Sequence, residues 1–575
     1  MTTQALYPNI KPSMLLDFQN TKQLDPRITY TRASTATYYD GVTTAKAEEN
    51  LFTYSQDFSN AAWTKAGTTI TANSTTAPDG TTTASTVTAS GGSIVNRVAQ
   101  TSISGTFMFS FYAKANTQNF IQLNQNASSN YFANFDLSTG TVGTVGASTV
   151  ATITSVGNSW YRCTMTVTSA TLGVLGLYVI DSSTAAAFAT TTSTSNFYVW
   201  GAQLEQRSAV TSYTTTTTQT ITNYIPQLLT AASGIARFDH NPITDESLGL
   251  LIEESRTNLF TYSEQFDNGN WSKGTGGSIF ANSVVAPNGT LTADVYTWPT
   301  TTSSYGYLSQ TVSGNPTNAY TYSVWIKRPL GSSSVSLRLV VSDYTVSTGN
   351  SSNITVTDAW QRFTFTRTSA TNTGNVGAGF NTAAASPPVT AIAAGDIIHV
   401  WGAQLEAGAF ATSYIPTVAS QVTRSADEAN ITGTNFSSWY NPGEGTLYGE
   451  GATNDDSYPT LVSINNGSTA QVIELQGSST AVNLNFIVVS TTVQASIAAT
   501  LTKSGSKCIG VYKTNDFASS VNASSVMTDT SGSIPIVDRM TIGAEISSFQ
   551  WNGTIKKIAY YPFRVSNTNL QALTS

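Results

Sequence analysis

Apolar and polar residues alternate with a period of two in several stretches, and two of these stretches share one pattern. Residues 107–114 alternate Phe, Phe, Phe and Ala with Met, Ser, Tyr and Lys, and residues 320–327 alternate Tyr, Tyr, Val and Ile with Thr, Ser, Trp and Lys. Successive side chains of a strand point to opposite faces, so each stretch predicts a strand that is buried on one face. The opposite face would then carry Tyr112, Lys114, Trp325 and Lys327.

A longer repeat surrounds these two strands. The sequence Trp-Gly-Ala-Gln-Leu-Glu occurs at 200–205 and again at 401–406, and both copies are followed at the same distance by Thr-Ser-Tyr, which ends at Tyr213 and Tyr414. Six identical residues with a matching tripeptide are very unlikely to arise by chance. The chain therefore contains two related modules with a period of about two hundred residues.

Short strand patterns separated by Gly, Asn and Pro turns predict an all-β fold of tandem antiparallel β-sandwich (jelly-roll) domains. The composition agrees, because charged residues make up only 10% of the chain, against roughly 25% in typical globular proteins. A chain of 575 residues needs several domains. We divide it into an N-terminal attachment segment (1–50), a first jelly roll (51–213), a linker segment (214–257), a second jelly roll (258–428) and a C-terminal jelly roll (429–575).

The C-terminal part has its own strand pattern. Asn552-Gly553 predicts a hairpin turn, because both residues tolerate positive φ. Ser566 can cap a short helix over residues 567–573, whose Leu570 and Leu573 would pack on the sandwich. The strand candidates lie at 445–450, 461–464, 507–512, 540–543 and 555–560.

Charge and reactive residues exclude several classes of function. The net charge is −7 and basic residues form no run, which argues against a nucleic-acid partner. No apolar run is long enough to insert into a membrane. Cys163 and Cys508 lie in different predicted domains, and His240 and His399 are the only histidines. These residues predict neither a disulfide framework nor a histidine-built metal site. The usual export signal is missing, which release by lysis or a non-classical secretion route would explain.

The repeated modules share further residues. Both open on Asn-Leu-Phe-Thr-Tyr-Ser, at 50–55 and 258–263, and a tryptophan follows at Trp63 and Trp271. With the aromatic–Lys strand and Trp-Gly-Ala-Gln-Leu-Glu, these features resemble the carbohydrate-binding jelly rolls of the cellulase-associated CenC type. The resemblance implies a glycan-binding β-sandwich.

Residues 439–575 resemble a second family, the laminin-G/concanavalin-like jelly rolls. Asn441-Pro442 with 445–447 is similar to the first element of that family, and 552–555 with 558–562 is similar to the last. The resemblance implies a third β-sandwich at this end of the chain.

Two junction motifs resemble those of bacteriophage fibre and appendage proteins. They are Thr-Arg-Ala-Ser-Thr-Ala-Thr at 31–37 and Leu-Gly-Leu-Leu-Ile-Glu-Glu-Ser-Arg-Thr-Asn-Leu at 248–259. The resemblance implies a virion protein that contacts other virion structural proteins, forms a homotrimer and adheres to host surface glycans. We expect residues 1–50 at the attachment end and the C-terminal jelly roll at the receptor-facing end. The first copy departs from the motif, with Lys-Ala-Glu-Glu-Asn at 46–50.

The best candidates for a glycan site are Tyr112 with Lys114 and Trp325 with Lys327. An aromatic plane binds the apolar face of a sugar ring, and an amine beside it binds hydroxyl groups. The same aromatic faces could instead pack on a neighbouring subunit, and the sequence leaves both interpretations open.

Other candidates have simpler structural explanations. Glu205 and Glu406 give each copy a single acid, whereas glycoside hydrolysis usually needs a pair, so we expect them to bond to neighbouring backbone. Trp200 and Trp401 are expected to fill the core. Asp455-Asp456 could bind Ca²⁺, but we expect a solvated loop, because acidic turns are common. We therefore predict no catalytic residue, no metal and no cofactor.

The sequence thus favours an adhesive phage virion protein, a fibre, spike or appendage, rather than an enzyme. Two alternatives stay open. One is a ligand-free decoration or adaptor protein of the capsid or tail, and the other is a polysaccharide depolymerase, which would need paired acids in a groove.

Overall fold

A computed structural model of the chain describes residues 10–575 except 170, 300–305, 314–318, 343–350, 368–374, 383–389, 456, 479–482 and 501–504. The described residues form mainly antiparallel sheets that pack in pairs around separate apolar cores. The predicted fold class, tandem antiparallel β-sandwiches, is therefore confirmed.

The first module is a sandwich of two six-stranded antiparallel sheets. Phe107, Phe109 and Phe111 lie between the sheets and are 0% exposed, as the alternation predicts. One sheet contains strands Thr64–Ala66, Arg97–Thr101, Phe120–Gln125, Phe132–Asp136, Thr141–Val145 and Val174–Val179. The other contains Thr68–Thr75, Ala84–Ala89, Gly105–Ala115, Thr149–Ser155, Tyr161–Ser169 and Asn196–Glu205.

The second module repeats this arrangement around Tyr320, Tyr322, Val324 and Ile326. One sheet contains Ser278–Val284, Ala293–Thr297, Tyr320–Lys327, Gln361–Arg367 and Ile397–Ala407. The other contains Ser272–Lys273, Tyr307–Ser313, Val335–Ser342, Ser351–Val356, Asn375–Thr382 and the short parallel strand Thr390–Ala391. A separate pair of strands links the two ends of the module, Arg256–Asn258 and Val422–Arg424.

The C-terminal sandwich draws strands from three distant parts of the chain. Its eight-stranded sheet contains Met14–Asp17, Phe238–His240, Ser247–Ile252, Glu444–Thr453, Ser506–Lys513, Phe517–Val521, Met527–Asp529 and Gly553–Tyr561. Its seven-stranded sheet contains Thr29–Thr31, Glu428–Thr432, Thr460–Asn465, Gln471–Gly477, Asn483–Ser490, Thr492–Thr500 and Arg539–Ile542. Short helices accompany it at Phe18–Thr21, Thr434–Ser437 and Asn567–Leu573.

The segments that the sequence assigns to attachment and linkage therefore belong in part to this sandwich. The reason is apolar burial. Met14, Leu16, Leu250 and Ile252 are at most 2% exposed and enter the same core as the C-terminal strands. The strand at 553–561 pairs along one edge with Met14 to Asp17 and with Leu250 to Ile252.

A two-stranded ribbon connects the modules. It pairs Ala36–Asn50 with Ile221–Ala231, and it lies against the second module. Leu228 of the ribbon packs into an aromatic cluster on the outer face of that module, and Glu48 of the ribbon forms an ion pair with Lys327. The ribbon thus fixes the path of the chain between the two modules.

Buried charges join the ribbon, the second module and the C-terminal sandwich, and we call this group the junction. It consists of Arg32, Arg237, Glu253, Arg424 and Asp427. Arg237 lies 2.8 Å from Glu253 and 2.6 Å from Asp427, and Arg32 lies 3.1 Å from Asp427. All five residues are at most 5% exposed. The two junction motifs of the sequence thus supply residues, Arg32 and Glu253, to buried ion pairs between distant segments.

Two local predictions in the C-terminal part meet different outcomes. The strands flanking Asn552-Gly553 do not form a hairpin, because Arg539–Ile542 lies in the seven-stranded sheet and Gly553–Tyr561 lies in the eight-stranded one. The turn instead carries the chain between sheets. The helix Asn567–Leu573 is present and buries Leu570 and Leu573, although the Ser566 side chain makes no capping hydrogen bond.

Candidate functional site

The side chains that the sequence singles out lie on the outer faces of the two sandwiches, as the alternation predicts, but they are largely covered there. In the first module Tyr112 is 9% exposed. Its ring meets Trp200 and Tyr213 edge-on, with ring centroids 5.2 and 5.9 Å away, and the Arg162 guanidinium lies 5.2 Å from its centroid. Lys114 is half-buried. Protein atoms cover the Tyr112 ring, so a glycan could reach it only if they moved aside. Its contact with a glycan remains a prediction.

The equivalent residues of the second module are buried more deeply. Trp325 is 4% exposed, with the rings of Trp401 and Tyr414 at 5.2 and 5.4 Å. Lys327 is 2% exposed and its ammonium group is paired with Glu48. The ribbon therefore occupies the face that the sequence offers to a sugar. A glycan contact of Trp325 and Lys327 also remains a prediction. In this structure both side chains are in contact with other parts of the chain.

These rings explain the glycine of the repeated motif. Gly201 and Gly402 have φ of 61° and 64°, which L-residues with side chains rarely adopt. A Cβ at either position would lie 2.9 Å from a ring atom, of Tyr112 in the first module and of Trp325 in the second. The Trp-Gly-Ala step is a bulge that brings the backbone against an aromatic ring.

The two motif glutamates act as expected from the structural interpretation. Glu205 accepts the backbone N–H of Thr211 at 3.1 Å, and Glu406 accepts that of Thr412 at 3.0 Å. Both carboxylates are 0% exposed. Burial raises the pKa of the Glu205 carboxyl above its ordinary value. Both residues fasten the segment that follows the motif.

The remaining candidates are also accounted for. Trp200 and Trp401 are buried, but in the outer clusters rather than between the sheets. Asp456 lies outside the described residues, and Asp455 accepts a hydrogen bond from Asn552 at 2.9 Å. In the part of the chain that the structure describes, no group of three or more His, Cys, Asp or Glu side chains could hold a metal ion. Within the same residues, no helix is long and apolar enough to cross a membrane.

A row of polar side chains crosses the outer face of the other sheet of the first module. Gln122, Asn124 and Asn134 form the centre of this row, and we call them the amide face. Tyr178 extends the row on the adjacent strand, opposite Gln122 in register. All four side chains belong to residues that are 0% exposed. Polar groups so buried need hydrogen-bond partners, and their partners define what the face can do.

Part of the hydrogen bonding stays within the row. Gln122 donates through Nε2 to Oδ1 of Asn134 at 2.8 Å, and Asn124 donates through Nδ2 to Oε1 of Gln122 at 3.1 Å. Arg97 donates to the Tyr178 hydroxyl at 3.1 Å. These bonds hold the side chains in fixed orientations before any ligand arrives.

The other hydrogen bonds go to a loop, residues 182–188, that lies across the face and that we call the strap. Asn134 donates to two strap carbonyls at 3.1 and 2.7 Å. Gln122 donates to a third at 2.9 Å and accepts the N–H of Phe188 at 3.1 Å. The strap contributes only backbone groups to these four bonds. The carbonyls belong to Ser183, Ala185 and Ala186.

The strap is held against its own backbone preference. Phe188 has φ of 60°, and a left-handed conformation costs a residue with a side chain about 1–2 kcal/mol. In the same row, Oδ1 of Asn124 is buried and has no hydrogen-bond partner among the described residues. The strap therefore satisfies the amide face incompletely and at a conformational cost.

Side-chain amides combine donors and acceptors, as sugar hydroxyls do, so the two can bond in pairs. A ligand that displaced the strap would exchange backbone carbonyls for hydroxyl oxygens. The net worth of each such bond is about 0.5–1.5 kcal/mol. The amide face thus carries donors and acceptors of the kind that pair with sugar hydroxyls.

The second module does not repeat the amide face. Arg338 stands opposite Asn381 where Gln122 stands opposite Tyr178, and Val340 takes the place of Asn124. The two modules therefore share a fold and the motif strand, but not the chemistry of this surface.

Sequence reasoning missed the amide face although a signal was present. The strand Phe120–Gln125 alternates apolar Ile121 and Leu123 with Gln122 and Asn124. Two amides on the non-core face of a strand mark a polar surface. The strap has no periodicity, so nothing in the sequence placed it over that surface.

No family model and no curated protein matches the chain. The described sheets define it as a tandem β-sandwich protein. Among solved structures it is similar to the CBM22-1–CBM22-2 tandem domain of Xyn10C from Paenibacillus barcinonensis, with 13% identity over 64% of this chain and 99% of that chain and a TM-score of 0.21. A CBM4 structure matches at 17% identity over 25% of this chain and 83% of that chain, with a TM-score of 0.17.

A second group of similar structures comes from laminins. The LG1-3 region of the laminin alpha2 chain matches at 8% identity over 81% of this chain and 95% of that chain, with a TM-score of 0.18. Domains LG4-5 of the mouse laminin alpha1 chain match at 10% identity over 46% of this chain and 89% of that chain, with a TM-score of 0.18. At these TM-scores the similarities carry no argument, and the fold rests on the strand pairing above.

Proposed function

We propose that the chain is a non-catalytic adhesive protein that binds glycans through the amide face of the first module. The observation that carries the proposal is the set of hydrogen bonds between the amide face and the strap. Pre-oriented amides bond there to backbone groups that sugar hydroxyls can replace. An unsatisfied amide oxygen in a fully buried row, together with a left-handed residue in the strap that bonds to that row, is a costly arrangement for a purely structural surface.

The architecture supports adhesion. The ribbon and the junction fix the order of the three sandwiches through buried contacts, so several copies in one particle would present their sites on rigid arms. Weak sites that act together gain avidity through effective concentration.

The position of the protein on a phage particle is a further part of the proposal. The motifs at 31–37 and 248–259, which resemble those of phage fibres and appendages, supply Arg32 and Glu253 of the junction. A rigid joint is what an extended virion protein needs at the boundary between domains. By the same resemblance we propose a homotrimer that contacts other virion proteins.

We also propose that the chain binds without reacting. Glu205 and Glu406 are each fully engaged within their own module, which supports a structural role for both. A depolymerase would instead release reducing ends from the bound polysaccharide, and a reducing-sugar assay on the purified chain tests this directly.

The experiment that tests glycan binding uses the full chain on a panel of bacterial surface polysaccharides. We expect Asn134→Ala to weaken binding by about three- to tenfold, because it removes the donor to the strap position and the acceptor of Gln122. The matched control is Asn353→Ala, since Asn353 occupies the equivalent register position in the second module and is exposed.

Equal binding by wild type and Asn134→Ala would refute the amide face as the site. Absence of binding to every polysaccharide would refute the function. Imaging of antibody-labelled particles tests the virion assignment, because a fibre or appendage protein must appear on the particle surface.

A further inference from the structure

A cleft lies outside both modules, where the ribbon meets the loop that follows Phe238–His240, and we call it the ribbon cleft. Its volume is about 260 Å³. Three stretches line it, 39–44 and 224–227 of the ribbon and 241–245 of the loop. Drug-sized ligands occupy roughly 300–1,000 Å³, so this volume suits a ligand of one ring.

The ribbon cleft offers an exposed aromatic ring. Tyr224 is 58% exposed and lines the cleft together with Pro226 and Val42. A tyrosine ring presents an apolar face with a polar edge, the combination that binds the C–H face of a sugar ring while its hydroxyl bonds outward.

Polar groups surround this ring. Asn241 uses Oδ1 to accept the N–H groups of Ile243 and Thr244 at 2.8 and 3.3 Å, so its side-chain NH₂ is left to donate. Thr44 and Asp245 are exposed lining residues. The lining thus supplies a fixed donor, a carboxylate and a hydroxyl around one aromatic ring.

A buried histidine lies directly under the floor of the ribbon cleft. His240 Nδ1 lies 3.2 Å from the Tyr39 carbonyl and 3.1 Å from the Phe238 carbonyl, so it carries the hydrogen. Nε2 is buried and has no partner among the described residues. Gly41 covers the ring with φ of 70°, and a Cβ there would lie 2.4 Å from ring carbon Cδ2. Only glycine lets the floor come this close to an unpaired acceptor.

We infer that the ribbon cleft is a second carbohydrate site, which binds one neutral or amino sugar residue with Tyr224 against its apolar face. The ligand class rests on the proposed function, but the site is independent of the amide face. Its lining contains Asp245 and neither lysine nor arginine. Sugar acids are therefore disfavoured by like charge, whereas hydroxyl and amine groups find Asn241, Asp245 and Thr44.

Saturation-transfer NMR tests the inference with glucose, galactose, glucosamine, glucuronic acid and sialic acid as probes. The full chain carries Gln122→Ala together with Asn134→Ala, which removes both side chains that bond to the strap, so that the amide face contributes little. We expect transfer to a neutral or amino sugar and at least a tenfold loss in Tyr224→Ala, which removes the ring, and in Thr44→Arg, which fills the cleft. The matched control is Tyr458→Ala, because Tyr458 is 43% exposed on the C-terminal sandwich.

Each of the other outcomes refutes a stated part of the inference. Transfer that survives both cleft variants, or that appears only in the wild-type chain, overturns the ribbon cleft and leaves the amide face standing. Transfer that is strongest for the sugar acids overturns the inferred ligand class and with it the inference. Absence of transfer in the wild-type chain as well overturns the ribbon cleft, whereas the polysaccharide panel decides the proposed function.

Discussion

Replacement of Asp427 by asparagine tests whether the junction holds the distant segments together. Oδ1 of Asp427 accepts hydrogen bonds from Tyr30 at 2.6 Å and Arg32 at 3.1 Å, and Oδ2 accepts from Arg237 at 2.6 Å and the Glu253 N–H at 2.9 Å. Asparagine must place its NH₂ group at one of these oxygens. In either orientation two donors then face a donor, and the negative charge between two arginines is lost.

The expected cost follows from burial. Asp427 is 1% exposed, and removing one partner of a buried ion pair costs about 3–5 kcal/mol. A domain is stable by only about 5–15 kcal/mol, so the loss is a large fraction of the total. Since 1.4 kcal/mol is a factor of ten, opening of the affected segments should become about 10²- to 10³-fold more frequent or somewhat more.

Hydrogen exchange with mass spectrometry measures this opening segment by segment, which suits a chain that need not unfold in one step. We expect faster exchange at Thr29–Thr31 and Glu428–Thr432, which pair in the seven-stranded sheet, and at Ser247–Ile252 of the eight-stranded sheet. Exchange at Gly105–Ala115 of the first module should not change.

The matched control is Asp25→Asn, because Asp25 pairs with Arg27 at the surface with side-chain exposures of 23% and 27%. Exposed pairs contribute about 0–1 kcal/mol, so exchange should hardly change. An Asp427→Asn effect as small as that of Asp25→Asn, or one spread evenly over all domains, would refute the reasoning.

Three further predictions concern charge and backbone. Burial opposes ionisation of Glu253, but Arg424 and Arg237 lower its pKa to about 2. Its contribution to the free energy of unfolding is therefore complete above the ordinary pKa of 4.5 and is lost as the pH falls toward 2, which acid unfolding measures. Burial, with the charge of Glu545, raises the pKa of Glu474 to about 8. The free energy of unfolding should therefore fall by about 1.4 kcal/mol per pH unit as the pH rises from 4.5 to about 8. Denaturant titrations of Glu474→Gln should not show this fall. Gly201→Ala should lower the melting temperature more than Gly80→Ala. Both glycines have positive φ, but a Cβ at Gly201 would lie within 4 Å of a ring, whereas a Cβ at Gly80 would have no atom within 4 Å. Equal shifts in melting temperature would contradict the packing argument.

Much of the fold could be predicted because it is written in local alternation. The stretch at 555–560 appears as the strand Gly553–Tyr561, and the stretch at 107–114 appears within Gly105–Ala115. Tyr112 lies on the non-core face as expected. The rule of alternating faces needs no knowledge of the rest of the chain, but it broke at the Trp-Gly-Ala bulge, which placed Trp200 and Trp401 in the outer clusters.

The covers over those faces could not be predicted, because they come from far along the chain. Lys327 is buried by Glu48 of the ribbon, and no local pattern links the two. A comparison of the copies offers a partial signal. Val284 and Val285 are 4% exposed in the second copy, whereas Thr76 is exposed at the matching turn of the first. Apolar residues at a turn indicate that something packs on it.

The C-terminal sandwich also sets an order for synthesis. The strand Gly553–Tyr561 pairs along one edge with both Met14–Asp17 and Ser247–Ile252. The ribosome makes it hundreds of residues after Met14–Asp17. Met14–Asp17 must wait with unpaired backbone while both modules fold, and Ser247–Ile252, which pairs with Phe238–His240, must wait with one unpaired edge while the second module folds. Nascent chains that stop short of this strand should therefore stick to one another, and a chaperone that shields strand edges should raise the yield of the mature protein.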